Sequence, residues 1–119
     1  MKSLIKKTTI QDIKNFKNKN AAFVALTAYD CVSAQICDDI EIPIVLVGDS
    51  ASMTVYGYDT TIPISMDEML LVVKAVTRVN KASLIVADLP FLSYQSSAEQ
   101  TILNAGLFIK EGGAGAVKL

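Results

Sequence analysis

The sequence predicts an α/β protein built on a parallel sheet, and three observations point that way. Two short apolar runs, Val45-Leu46-Val47-Gly48-Asp49-Ser50 and Leu84-Ile85-Val86-Ala87-Asp88-Leu89-Pro90-Phe91, each stop on an aspartate. A continuous apolar run is the pattern of a strand buried on both faces, as in parallel sheets. Stretches with helical spacing and capping signals alternate with these runs. At 119 residues, 51% hydrophobic and 19% charged, the chain can bury one compact core, so residues 1–119 read as a single domain.

The opening segment places Ile10, Ile13 and Phe16 at helical spacing, with Thr8 or Thr9 able to cap and lysines on the other face, which predicts a short N-terminal helix. After the polar Asn18-Lys19-Asn20 break, Ala22-Phe23-Val24-Ala25-Leu26-Thr27 reads as a strand. Asp30 is placed to cap a helix over about 31–39, Pro43 closes the connection, and a second strand follows to Val47. Residues 48–64 are rich in Thr and Gly without helical periodicity, and connections of this length are usually functional loops.

Ser65-Met66-Asp67-Glu68 is a capping box, opening a helix with Met66, Met69, Leu70, Val73 and Val76 on its apolar face and an end near Val79. Residues 80–83 turn the chain into a third strand that stops at Asp88-Leu89-Pro90. Ser97 with Gln100 caps another helix carrying Ile102, Leu103, Leu107 and Phe108, ended by Gly112-Gly113. Ala116-Val117-Lys118-Leu119 begins a fourth strand. A chain stopping on an apolar residue in mid-strand reads as a fragment. Four strands alternating with helices fit either a small doubly wound sheet or about half of a (β/α)8 barrel of roughly 250 residues.

Composition narrows the chemistry. A net charge of −1 and a pI near 5.3 give no electrostatic case for nucleic acid. No apolar stretch approaches the ~20 residues of a membrane span, and Met1-Lys2-Ser3-Leu4-Ile5-Lys6-Lys7 lacks the core of a signal peptide, so the expected location is the cytoplasm. Cys31 and Cys37 fall on different faces of a helix and read as buried free thiols. With no histidine, zinc chemistry and imidazole catalysis are excluded within these residues, leaving carboxylate, lysine, hydroxyl or an oxygen-liganded metal.

Ligand sites in α/β folds gather at the carboxyl ends of the strands, where Asp49 and Asp88 fall. Two carboxylates brought close share a proton or hold a cation, and oxygen ligands suit Mg2+. The alternative is that Asp49 begins a turn and Asp88 caps the Leu89-Pro90 bend. Lys118 interrupts an apolar strand, and a lysine pointing into a barrel needs an anion. A substrate carboxylate would serve, and so would a structural ion pair or a snorkelling edge lysine.

Thr27-Ala28-Tyr29-Asp30, Val47-Gly48-Asp49-Ser50 with Met53-Thr54-Val55 and Gly57-Tyr58-Asp59, Thr61-Ile62-Pro63-Ile64, Ala87-Asp88-Leu89-Pro90-Phe91 and Val117-Lys118-Leu119 resemble, in order and spacing, the ketopantoate (3-methyl-2-oxobutanoate) hydroxymethyltransferases of pantothenate biosynthesis. The resemblance runs from about residue 8 to the last residue. It implies an α/β fold that is a partial TIM (β/α)8 barrel, about the first four strands with their helices, in a homo-oligomeric enzyme. It makes Asp49 and Asp88 ligands of Mg2+ and has Ser50 and Lys118 hold the carboxylate of a 2-oxoacid, so that Asp49, Ser50, Asp88 and Lys118 together bind substrate.

The implied reaction moves a hydroxymethyl group from the co-substrate 5,10-methylenetetrahydrofolate to 3-methyl-2-oxobutanoate through a Mg-stabilised enolate, giving 2-dehydropantoate. The family's third acidic metal residue would fall at position 120 and its general base further on, so no catalytic base lies within these residues and the chain alone is expected to be inactive. Ala51 and Ser52 stand where the family has Leu-Gly, and a β-carbon at Ser52 is expected to disfavour a glycine-type backbone. A lyase or mutase of the phosphoenolpyruvate/isocitrate lyase superfamily shares Thr27-Ala28-Tyr29-Asp30. A receiver-like signalling module shares only aspartates at strand ends.

Overall fold

A computed structural model describes residues 5–119; the reading of Met1-Lys2-Ser3-Leu4 in the leading segment lies outside the described residues. Helix α1 (Ile10–Asn18) precedes strand β1 (Ala25–Thr27), helix α2 (Cys31–Asp39), strand β2 (Ile44–Val47) and a single turn, α3 (Ala51–Thr54). Helix α4 (Met66–Val79), strand β3 (Leu84–Asp88), helix α5 (Ala98–Lys110) and strand β4 (Ala116–Lys118) complete the order. The four strands are parallel and lie in the order β1-β2-β3-β4.

That order decides between the two architectures left open by the pattern of strands and helices, in favour of the barrel that the family resemblance implies. A doubly wound sheet reverses direction at a switch point, as does a receiver domain, so its strands are not consecutive in space. Here each strand pairs with the next, while α2 packs on α4 and α4 on α5. This is the progression of a (β/α)8 barrel, and it rules out the doubly wound and receiver-like alternatives.

Local chemistry sets the helix starts. Asp30 accepts from the Ser33 N–H at 2.7 Å and caps α2. Ser65 and Glu68 form the expected reciprocal box on α4, each accepting from the other's backbone N–H at 3.2 and 2.8 Å respectively. Thr9 and Asp12 form a second such box on α1, with Thr9 rather than Thr8 as cap. The pattern at α5 differs from expectation: Ser97 accepts from the Gln100 N–H at 3.1 Å, but the Gln100 side chain bonds Ser96 instead of reaching back.

The core lies between sheet and helices. Val45, Val47, Ile85 and Ala87 point into it and meet Met69, Val73 and Val76 of α4 and Phe108 of α5, all fully or nearly fully buried. Burial of each large side chain contributes about 1.5–3 kcal/mol. Gly112 closes α5 tightly, since a β-carbon there would sit 2.5 Å from the Phe108 carbonyl oxygen. At the lower end of the sheet, one Asp38 carboxylate oxygen accepts the backbone N–H groups of Lys81 and Ala82 at 2.5 and 2.7 Å. The Asn80 side chain donates to the Ala34 carbonyl and accepts from the Ser83 N–H, tying α2 to the start of β3.

Several expectations are corrected. The first strand is shorter than residues 22–27, and it is exposed because it forms an edge of the sheet. Of the two thiols only Cys37 is buried; Cys31 is exposed, since one amphipathic helix buries one face and the cysteines occupy two. Helix α5 carries the four apolar residues read from the sequence, with Phe108 buried and Ile102 and Leu103 exposed in residues 5–119. Residues 48–64 contain the single turn α3, too short to produce a periodic signal. Among the described residues no helix is long and apolar enough to cross a membrane.

Candidate active site at the carboxyl ends of the strands

Strand register builds the site. Side chains alternate along a strand, so Val86 and Asp88 share the face of β3 opposite the helix-facing Ile85 and Ala87. Asp88 pairs in register with Lys118, and the two meet as an ion pair with Nζ 2.8 Å from Oδ1. Val47 pairs with Ala87, so the chain leaving β2 passes beside Asp88, whose Oδ2 accepts the Asp49 backbone N–H at 3.2 Å. Asp88 therefore bridges three strands' worth of chain. It does not cap the Leu89-Pro90 bend; the Leu89 N–H goes instead to the Lys118 carbonyl at 2.9 Å.

Ser50 completes the group. Its hydroxyl lies 2.6 Å from the phenol oxygen of Tyr29, at the end of β1. A β-carbon on Gly48 would stand 2.8 Å from Ser50 Oγ and 3.4 Å from Asp88 Oδ2, so these two oxygens flank the small volume that the glycine leaves open. The four residues singled out by the sequence thus converge: Asp49, Ser50 and Asp88 through β2 and β3, and Lys118 from β4.

Electrostatics favour a cation. Asp88 is 6% exposed, and among the described residues its buried Oδ1 has the Lys118 ammonium, at 2.8 Å, as its one partner. Lys118 is half-exposed, so water weakens that ion pair. The hydrogen bond to Asp88 holds the Lys118 ammonium above its ordinary pKa. Asp49 is pushed the other way for a carboxylate: burial first, then the Asp88 charge, raises its pKa, with Lys118 opposing. Two carboxylates facing one ammonium leave net negative charge at the mouth of the sheet.

These residues fit Mg2+, which is commonly held by one or two carboxylates while water and substrate supply the remaining oxygens. Asp88 Oδ1 already meets the Lys118 ammonium, and a carboxylate oxygen's second lone pair leaves room for a cation beside it. Among the described residues no three acidic or cysteine side chains converge.

The structure also adds what the sequence did not show. Tyr29 stood out only as part of Thr27-Ala28-Tyr29-Asp30, and its partnership with Ser50 spans 21 positions, beyond any local periodicity. Ser52 is helical, and its fully buried hydroxyl donates to the Thr60 carbonyl at 2.7 Å. The position therefore needs no glycine, and the serine pins the loop it was expected to disturb.

The class follows from this architecture: part of a (β/α)8 barrel with two aspartates and a lysine at its strand ends. Solved structures agree on the fold. A phosphonopyruvate hydrolase in complex with oxalate and Mg2+ superposes with a TM-score of 0.72 at 15% identity, over 90% of this chain and 36% of that one. A 2,3-dimethylmalate lyase of the PEP mutase/isocitrate lyase superfamily gives 0.67 at 11% identity, over 94% and 36%.

The chain belongs to the ketopantoate hydroxymethyltransferase family, whose profile matches residues 7–119. It is 49% identical over 114 residues to a 3-methyl-2-oxobutanoate hydroxymethyltransferase of Thermobifida fusca, covering 96% of this chain and 41% of that relative. With the enzyme of the same name from Dehalococcoides mccartyi it shares 51% identity over 113 residues, covering 95% and 40%. The chain thus spans about 40% of the length of these relatives.

Proposed function

We propose that these residues supply the metal- and 2-oxoacid-binding part of an enzyme that transfers a hydroxymethyl group from 5,10-methylenetetrahydrofolate to 3-methyl-2-oxobutanoate, giving 2-dehydropantoate. The observation that carries this reading is the convergence of Asp49, Ser50 and Lys118 on the buried Asp88 carboxylate, whose Oδ2 accepts the Asp49 N–H and whose Oδ1 meets the Lys118 ammonium. Asp49 and Asp88 would hold Mg2+, which when bound supplies Lewis acidity toward the keto oxygen of the substrate.

The chain's own residues do the rest of the binding. Lys118, already drawn to the site by Asp88, presents its ammonium to the substrate carboxylate and offsets its charge. The Ser50 hydroxyl donates a hydrogen bond to the same carboxylate. Together they fix the orientation in which the C3 proton can be removed. The oxalate and Mg2+ bound by the phosphonopyruvate hydrolase support this, since oxalate presents the paired oxygens that a 2-oxoacid presents. The complete enzyme, in the same reading, is a cytoplasmic homo-oligomer that does not bind nucleic acid, and residues 1–119 alone are inactive.

The test is proton exchange. In a full-length enzyme carrying residues 1–119, Asp49→Ala and Asp88→Ala are expected to abolish Mg2+-dependent exchange of the C3 proton of 3-methyl-2-oxobutanoate in D2O, followed by proton NMR. Exchange at the normal rate in either folded variant would overturn the metal-ligand assignment.

A further inference from the structure

The Ser50 hydroxyl is free of the task that its position normally assigns. Ser50 stands at the N-cap of α3, where a serine side chain usually accepts from the N–H two or three residues on. It makes no such bond, because the Ser52 N–H goes to the Asp49 carbonyl and the Met53 N–H to the Ser50 carbonyl, both at 2.9 Å. The hydroxyl turns instead to Tyr29, at 2.6 Å, above the open volume at Gly48 that Asp88 also borders. Tyr29 itself is partly buried against the core, which fixes its ring while its oxygen reaches the site.

We propose that Tyr29 is a positioning residue for Ser50, donating its phenolic proton to Ser50 Oγ so that the serine's own proton is directed at the carboxylate of the bound 2-oxoacid. The packed ring fixes where the phenolic oxygen sits, whereas a serine hydroxyl left alone rotates freely. With Tyr29 donating to one lone pair of Oγ, the Ser50 proton is turned away from Tyr29 and left to give to an anion, and a hydrogen bond to a charged acceptor is the stronger kind. The pair also joins the end of β1 to the chain leaving β2, so the binding serine is referenced to two strands. This inference rests on the reading of Ser50 as a carboxylate ligand.

The experiment is a double-mutant cycle in the full-length enzyme carrying residues 1–119, with KM for 3-methyl-2-oxobutanoate, KM for the folate co-substrate and kcat measured separately. Tyr29→Phe keeps the ring in the core and is expected to raise the 2-oxoacid KM about tenfold while leaving the folate KM unchanged. Ser50→Ala is expected to raise the 2-oxoacid KM at least as much, and adding Tyr29→Phe to it should change nothing further. Additive effects, or a Tyr29→Phe variant with unchanged 2-oxoacid KM while Ser50→Ala raises it, would overturn the positioning role alone. A Ser50→Ala variant with unchanged KM would overturn the carboxylate reading and this role with it. Equal rises in both KM values would mark Tyr29 as merely structural.

Discussion

Removing the Asp38 carboxylate should loosen the lower end of the sheet by a magnitude that its hydrogen bonds set. Asp38 is 7% exposed and accepts two backbone N–H groups through one oxygen, from Lys81 at 2.5 Å and Ala82 at 2.7 Å. In Asp38→Ala the N–H of exposed Lys81 finds water, so its loss is a net hydrogen bond of about 1 kcal/mol. Ala82 is buried, and its N–H, left without an acceptor, adds a desolvation penalty of about 1–3 kcal/mol. The expected destabilisation is therefore about 3 kcal/mol. Asp38→Asn retains a carbonyl acceptor without the charge and should lose about half as much. Urea unfolding followed by circular dichroism measures both, with Asp39→Ala as a surface control expected to stay within about 0.5 kcal/mol. A loss below about 1 kcal/mol for Asp38→Ala, at unchanged m-value, would refute the account of this clamp.

Two further outcomes follow from other contacts. Gly48→Ala places a β-carbon 2.8 Å from Ser50 Oγ, and because that atom ends a short rotatable side chain, stability should change by less than about 1 kcal/mol. The displaced hydroxyl leaves Tyr29, so the 2-oxoacid KM of the full-length enzyme should rise about tenfold; an unchanged KM would contradict the placement of Ser50. Asp12 has its pKa lowered from 3.8 to about 2, chiefly by the Thr9 backbone N–H and then its hydroxyl. A folded-state pKa below the unfolded one means that the capping box stabilises α1 fully above pH 3.8 and loses that contribution as pH falls toward 2. Amide exchange in residues 10–18 should quicken over that window beyond its intrinsic pH dependence, and Asp12→Asn should remove the extra acid sensitivity.

Sequence alone determined the features that are local. The boundaries of α2, α4 and β3 follow from Asp30, from the Ser65 and Glu68 box, and from an apolar run ending at Asp88, because caps and periodicity act within a few residues. Asp49, Ser50, Asp88 and Lys118 were legible for a related reason: polar groups at the ends of apolar strands stand out against their neighbours. Tertiary structure decided everything that depends on which strands are adjacent. The consecutive order β1-β2-β3-β4 separated a barrel from a doubly wound sheet, two architectures that share one pattern of alternating elements. Register then put Lys118 on Asp88, and loop geometry put Ser50 on Tyr29. The Asp38 clamp likewise joins residues more than 40 positions apart, as its separation of 43 from Lys81 shows. Such contacts leave no periodic trace in the chain, since their partners become neighbours only when the sheet assembles and buries the groups that must then be paired.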